Sequence, residues 1–317
     1  MAELVLRRLL SAIPVLLLVT LISASIMQLV PGDPALMIAG SNASDAEIQQ
    51  VRRALGLDRS FGVRLLEWYG GMFRGDLGQS LLLNRSVTDA ILERLPVTLA
   101  LAGFALALTV AIGVPLGVIA ALKANTVIDQ IVLVVALIGV SVPNFWLGLM
   151  LIVSFGVWLD VLPAGGYTPF ADSPMGWVRS LILPGISLAL LQIGLLARIT
   201  RATMLEVLRQ DYVRTARAKG LPMRMVVGQH ALRNVMVPVV TVIGISFGLL
   251  LSGSVVIETV YSIPGMGRLL ATAIFSRDYP VIQGGLLVTA TVLVLLNLAV
   301  DLLYAVIDPR VKHDGRS

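Results

Sequence analysis

Residues 95–122 read LPVTLALAGFALALTVAIGVPLGVIAAL, an unbroken stretch with no Asp, Glu, Lys or Arg. A helix needs about 20 apolar residues to cross a bilayer, and this stretch exceeds that length. Working outward, the windows 9–32, 130–159, 180–197, 234–257 and 279–300 are also free of those four residue types. The window 180–197 is the shortest. A soluble domain does not hide six such helices, so hydropathy predicts six membrane spans.

The composition agrees. The 317 residues are 57% hydrophobic and 14% charged, against about 25% charged in a soluble domain, and the mean hydropathy is +0.89. There is no cysteine, which excludes disulfides, thiolate metal sites and a cysteine nucleophile. His230 and His313 are the two histidines and cannot build a histidine metal site by themselves. In a soluble chain a net charge of +5 would raise nucleic acid as a partner. Here its location matters more than its sum.

The first window reads as a span and not as a cleavable signal. Arg7 and Arg8 resemble the basic start of a signal peptide, but the apolar stretch runs to Val30, past the 7–15 residues of such a core. Pro31-Gly32-Asp33-Pro34 then stops the helix. With six spans, the N-terminal tail, 123–129, 198–233 and 308–317 share one side and hold 14 Lys and Arg residues. The short loops 160–179 and 258–278 on the other side hold 3. The long first loop holds 7, but long loops translocate regardless of charge. Both termini are therefore expected in the cytoplasm.

The long outer loop has helical signals. Ser44-Asp45-Ala46-Glu47 forms a capping box. Ile48, Val51 and Leu55 follow at helical spacing, and Gly56 ends that helix. Phe61, Leu65, Trp68 and Met72 mark a second amphipathic helix. A turn is expected at 74–78, then a short helix from Ser86 or Thr88 up to Pro96. This outer cap is either structural only or a surface for an external partner.

Between the fourth and fifth windows lies DYVRTARAKGLP, residues 211–222. Over 201–220 an apolar stripe is expected from Met204, Leu205, Leu208, Tyr212 and Ala216, with Arg201, Arg209, Arg214, Arg217 and Lys219 on the remaining surface. Gly220 ends the helix and Pro222 prevents its continuation. A second short helix is expected from about Met223 to Asn234. An anchor on anionic headgroups explains the charge. It does not explain the sharp stop, which suits a helix that docks into a groove on a soluble partner.

This loop resembles the EAA motif of permease subunits of bacterial ABC importers. It is most similar to the dipeptide, oligopeptide and nickel transport family, in DYVRTARAKGL followed by HALRNVMVPVV. The Glu-Ala-Ala triplet corresponds to Arg214-Thr215-Ala216, which keeps only the last Ala, and the motif glycine to Gly220; the Leu-Pro end corresponds to Val237-Pro238. LVPGDPA at 29–35, LGLD at 55–58, GDLGQS at 75–80, RLPVTLALA at 94–102, SVPNFWLGL at 141–149, YSIPGMGRL at 261–269 and RDYPVIQG at 277–284 look like the same family. Together they run along nearly the whole chain in order.

The resemblance implies an all-α membrane protein of the type I ABC importer class, with six transmembrane helices, both termini cytoplasmic and a helical periplasmic loop after the first span. It divides the chain into a cytoplasmic tail 1–8, a first span 9–30, a periplasmic helical loop 31–96, a permease core 97–310 with the coupling loop 198–234, and a cytoplasmic tail 311–317. It implies that Asp211, Tyr212, Val213, Arg214, Thr215, Ala216, Arg217, Ala218, Lys219 and Gly220 couple the chain to an ATPase. The implied partners are a second homologous permease in a heterodimer, two ABC ATPase subunits, a periplasmic or lipoprotein substrate-binding protein and the lipid bilayer, with no nucleic acid. The implied location is the bacterial inner membrane. No phosphate-binding G-x-x-x-x-G-K-S/T sequence occurs, so ATP and Mg belong to the partner ATPases, and this chain has no catalytic residue, metal ligand or cofactor of its own. Peptides are the leading substrate; nickel, glutathione and opines are alternatives.

Transport requires a path with some polar lining. Ser141, Asn144 and Gln192 are candidates to line it, as are Glu258 at the outer end of the fifth span, Asn297 and Asp301. Asp301 is the acid well inside a span and so is a functional candidate; Asn297, Asp301, Tyr304 and Asp308 share one helical face. An ion pair with Arg7, Arg8 or the basic loop is the other reading of Asp301. Gly113-x-x-x-Gly117 and Gly244-x-x-x-Gly248 read as close helix packing. Pro143-Asn144 breaks the third span, Trp146, Trp158 and Trp177 suit the interfacial belt, and Pro264, Gly265 and Gly267 suggest a tight re-entrant turn. An ion-coupled secondary transporter is a competing class, but it needs intramembrane ionisable groups and repeated halves.

Overall fold

The computed structural model describes residues 2–29, 33–40, 43–54 and 56–307. Pro31, Gly32, Leu55, Asp308 and the tail holding His313 lie outside the described residues, as do the side chains of Tyr304 and His230.

In chain order the helices begin with α1 (Ala2–Leu29), α2 (Pro34–Ala39), α3 (Asp45–Ala54) and α4 (Phe61–Met72). Two-residue strands β1 (Gln79–Ser80) and β2 (Arg85–Ser86) pair antiparallel. They are followed by α5 (Val87–Leu122), α6 (Val127–Ser141) and α7 (Asn144–Leu151), the last continuing as a wide π turn over Ile152–Trp158. Next come α8 (Pro174–Leu208), α9 (Asp211–Ala218) and α10 (Met223–Met225). A second π turn, Val226–Ala231, leads into α11 (Leu232–Val260), then α12 (Met266–Ser276) and α13 (Tyr279–Ile307). Among the described residues, α1, α5, α8, α11 and α13 are long and apolar enough to cross a membrane. A sixth span is counted if α6 and α7 with its π turn are taken as one helix, bent by 99°. The bend falls at Val142-Pro143, where Pro143 starts α7 with extended backbone.

The chain divides into two compact units. One comprises Val97–Gly267 and the residues from Leu296 onward; the other comprises Ala2–Pro96 and Arg268–Leu295.

In the first unit α8 is the central element. Of its apolar window 67% is buried, against 11–33% in the other spans. Close approach is possible because glycines stand at the crossings. A Cβ on Gly194 would lie 2.5 Å from the Ala136 carbonyl oxygen of α6, and one on Gly117 of α5 would lie 2.5 Å from that of Ala197. Gly113 meets Leu196 in the same way, and Gly244 of α11 meets Val300 of α13. Gly113, Gly117 and Gly244 of the two small-residue spacings are therefore packing sites. Four polar residues, Ser180, Ser187, Gln192 and Thr200, are buried along α8, while its charge-free window is closed by Arg179 and Arg198.

In the second unit the capping box forms as expected. The backbone N–H of Ser44 donates to Glu47 Oε2 at 2.7 Å, and the Glu47 N–H returns to Ser44 Oγ at 3.4 Å. Asp33 caps α2 through the Ala35 N–H at 2.9 Å and is paired with Arg52. In α1 the hydroxyl of Thr20 lies 2.7 Å from that of Tyr69 in α4. Ser80 donates to the Asp278 carboxylate, which heads α13 and accepts the Val281 N–H at 3.5 Å. Burial pushes the Asp278 carboxyl above the ordinary range, with Ser80 and the Val281 N–H opposing. GDLGQS and RDYPVIQG thus meet: a Cβ on Gly284 would lie 2.9 Å from Val87, beside Leu77.

Several expectations are corrected. The short helix ending at Pro96 is instead the start of α5, which runs through Pro96 to Leu122; a long helix absorbs the single hydrogen bond that proline removes. The segment beginning at Met223 is not a separate helix ending near Asn234, because the π turn carries it directly into α11. The loop after α11 holds a helix of 11 residues, α12, as well as a tight turn.

Candidate functional site

The candidate coupling segment is a helix set off at both ends. α8 ends at Leu208, Arg209 and Gln210 turn the chain, and α9 starts at Asp211. The expected continuous stripe over 201–220 is therefore split between two helices. Met204 is buried with Leu196 and Val235 at the end of α8. On α9 the buried residues are Val213 and Ala216, which pack with Val226, Leu208 and Leu221. Tyr212, expected in the stripe, is exposed, and its hydroxyl accepts from Asn234 Nδ2 at 2.7 Å. Spacing alone did not reveal the break at Arg209–Gln210; on α9 Ala216 is buried as expected, and Val213 takes the place of Tyr212.

The C-terminal end of α9 is closed as a helix of this kind requires. Gly220 has φ of +80°. Its N–H donates to the Arg217 carbonyl at 2.9 Å, and the Leu221 N–H reaches back to Ala216 at 3.3 Å. Those bonds and the left-handed glycine form a Schellman-type stop. Pro222 then starts α10. Asp211, Arg214, Thr215, Arg217, Ala218 and Lys219 are exposed, so α9 offers a basic outer face while Val213 and Ala216 seat it. Beside its start, Ala202, Leu205, Glu206, Arg209, Gln210 and Asp211 line an open recess of about 410 Å³.

The candidates for the path are dispersed. Ser141, Asn144 and Gln192 line one cavity of about 390 Å³ at the bend between α6 and α7, along with Leu188, Leu249 and Gly253. Gln192 is held there by Ser246, whose hydroxyl donates to Gln192 Oε1 at 3.1 Å. Glu258 is elsewhere. It was expected at a pore mouth or in water, but it is fully buried, with Thr98 Oγ1 donating to it at 2.5 Å. Thr98 Oγ1 accepts in turn from the Met266 N–H at 2.8 Å. A Cβ on Gly265 would lie 2.3 Å from the Glu258 carboxyl carbon, so a glycine is required there. RLPVTLALA and YSIPGMGRL meet at this carboxylate. Tyr261 makes a similar junction, donating to the Gly148 carbonyl at 3.1 Å with its hydroxyl 3.0 Å from Ser187. Asn297 is exposed, and Asp301 is half-buried with a bonding partner. Of the tryptophans, Trp158 and Trp146 are exposed, while Trp177 sits edge-on to Phe104 and Phe170.

One pair escaped sequence reasoning. Asp129, 2% exposed, accepts from Arg201 Nε at 2.5 Å and Nη2 at 2.7 Å. Asp129 borders the charge-free window 130–159, and that position was the available signal; Arg201, expected on the exposed surface of 201–220, lies beyond Arg198 and is instead drawn into this pair.

Residues 113–313 match the family of binding-protein-dependent transport system inner membrane components, and residues 1–102 match the N-terminal model of the same transport systems. The chain is 50% identical over 314 residues to a provisionally named peptide transport system permease protein of Brucella abortus (strain 2308), covering 99% of this chain and 100% of the relative. It is 40% identical to the dipeptide transport system permease protein DppB of Escherichia coli (strain K12), covering 99% of each. In fold it resembles a chain of the MetNI methionine ABC transporter solved in inward-facing conformations. The TM-score there is 0.57 at 18% identity, over 69% of this chain and 96% of that one. The chain belongs to the family of binding-protein-dependent transport system inner membrane components.

Proposed function

We propose that this member of the family is the membrane-spanning permease subunit of an ATP-driven importer that takes di- and oligopeptides, delivered by a periplasmic or lipoprotein binding protein, into the cytoplasm. Peptides follow from the names of relatives matched over nearly full length. In the proposed assembly the chain pairs with a second homologous permease and two ABC ATPase subunits in the bacterial inner membrane, with six spans and both termini in the cytoplasm. The division into tails 1–8 and 311–317, first span 9–30, periplasmic loop 31–96 and core 97–310 belongs to the same proposal.

The observation that carries the coupling role is α9. It is a short helix, broken from α8 on one side and stopped by Gly220 on the other, seated by two buried side chains and basic on its exposed face. Residues 211–220 would enter a groove on an ATPase subunit. Closure of the ATPases on ATP would then displace α9 and, through it, the ends of α8 and α11. Ser141, Asn144 and Gln192 are proposed to line part of the path, with Glu258, Asn297 and Asp301 as further polar positions to test.

The test is copurification from the native membrane in mild detergent, with mass spectrometry. ATPases carrying a phosphate-binding loop are expected with the wild-type chain. Ala216→Glu, which puts a charge where α9 is buried, should release them. Wild-type chain that brings down no ATPase would return α9 to the role of a membrane-surface anchor.

A further inference from the structure

We propose that Asp129 and Arg201 form a bracket that turns displacement of α9 into movement of the membrane helices; they act as a positioning pair for coupling, not as part of the ATPase docking surface. This rests on the importer reading above. Four observations lead to it. Arg201 donates twice to one buried carboxylate, at 2.5 and 2.7 Å. The same carboxylate accepts a third bond, from the Asn125 N–H at 2.9 Å, so it is tied both to α8 and to the turn between α5 and α6. Asn125 holds a left-handed φ of 63°, which asparagine tolerates and which aims its N–H at Asp129. One residue before Arg201, Thr200 sits against Gly117 of α5, where an added Cβ would lie 2.6 Å away.

Three segments are therefore clamped at one point: the end of α5, the start of α6 and the last turns of α8. From Arg201 the chain runs to Leu208, and α9 starts three residues later. A push on α9 reaches α8 first. With the bracket closed, α8 cannot pivot alone, and α5 and α6 must follow. On the far side of α9 the chain leaves through the π turn Val226–Ala231, whose Val226 packs on Val213 and Ala216. Such wide turns are rare and are frequent at functional sites. The two exits from α9 thus differ: one is clamped by charge-assisted bonds and the other passes through a π turn.

A buried ion pair is a weak source of stability relative to apolar packing, and its best-attested use is to fix one geometry. Arginine presents a planar fork that lysine cannot reproduce. That difference separates a bracket from a charge that merely needs neutralising.

The experiment uses the complete copurified assembly in proteoliposomes, with labelled dialanine as the probe and ATP hydrolysis measured in parallel. R201K is expected to copurify with its ATPases at the wild-type level and to hydrolyse ATP, while dialanine moved per ATP falls at least tenfold. Should R201K fail to assemble, D129N reads the same ratio, because its amide matches the carboxylate in size and leaves the fork a single acceptor. An unchanged ratio in an assembled variant, or loss of assembly in both, overturns the proposal. Absence of ATPases from the wild-type sample would instead overturn the importer reading.

Discussion

α1 and α8 have nearly the same mean hydropathy over their apolar windows, 2.1 and 2.0, yet 11% of the first is buried and 67% of the second. Hydropathy measures transfer into hydrocarbon, and lipid tails are as apolar as leucine. It therefore says that both helices enter the membrane and nothing about which of them packs. What separates them is small and polar residues. α8 carries Gly185 and Gly194 at close crossings, and Ser187 and Gln192 at hydrogen bonds with residues far along the chain. On α1 Leu6, Leu10, Ile13, Leu17 and Leu18 are exposed, and the buried positions include Ala12, Thr20, Ser23 and Ala24. In both helices small and polar residues stand on the buried face; on α8 that face is larger and also carries Leu181, Leu183, Leu188 and Leu196.

The strongest way to break this contrast is to fill a crossing on α8. Gly194→Val places methyl groups where a Cβ alone would stand 2.5 Å from the Ala136 carbonyl oxygen. That oxygen belongs to backbone and cannot move aside. We expect a loss of ~3 kcal/mol or more, at or beyond the upper range for overpacking, seen as loss of monodisperse protein in detergent. A Gly194→Val protein that melts like the wild type would mean that α6 and α8 separate freely.

A smaller effect with the opposite intuition comes from Gln192→Leu. The change makes α8 more apolar, so a hydropathy account expects a better membrane helix. The packing account expects a loss of about 1 kcal/mol, because the Ser246 hydroxyl loses the acceptor it reaches at 3.1 Å, and interhelical bonds in membranes are worth about that much. Thermal unfolding in detergent decides by its sign. A rise in melting temperature would remove the polar bond from the list of forces that choose the central helix.

The same contrast explains what could be read in the sequence. Charge-free windows of 20 residues and more reveal spans, because the bilayer demands them everywhere, and the helical spacing and capping box of the outer loop are local rules. The packing order is not local. The window 180–197, closed by Arg179 and Arg198, is the shortest, yet it belongs to the most buried of the described spans, and its polar residues face partners such as Ser246 and Tyr261, 54 and 74 positions away. The family motifs were visible as text, while their meeting in pairs was not: Thr98 and Met266 at Glu258, and Gly148 and Ser187 at Tyr261. At α9 the basic face and the Gly220 stop were legible, since glycine and proline act locally. The turn at Arg209–Gln210 has no such residue, so the stripe was drawn across it.

The smallest expected effect is the sharpest control on the comparison. Leu18 in α1 is 56% exposed, and in the proposed assembly its neighbours there are lipid tails or the second permease. If lipid covers it, Leu18→Ala exchanges one apolar surface for another and removes no hydrogen bond. Helix propensity does not oppose the change, since alanine is the best helix former. Stability of the isolated chain should then stay within about 0.5 kcal/mol of wild type, as for substitutions away from packed features. Recovery of the second permease in a pull-down is the informative readout. Unchanged recovery assigns this face of α1 to lipid. Reduced recovery at unchanged chain stability assigns it to the proposed partner, and the low burial of α1 would then belong to the single chain alone.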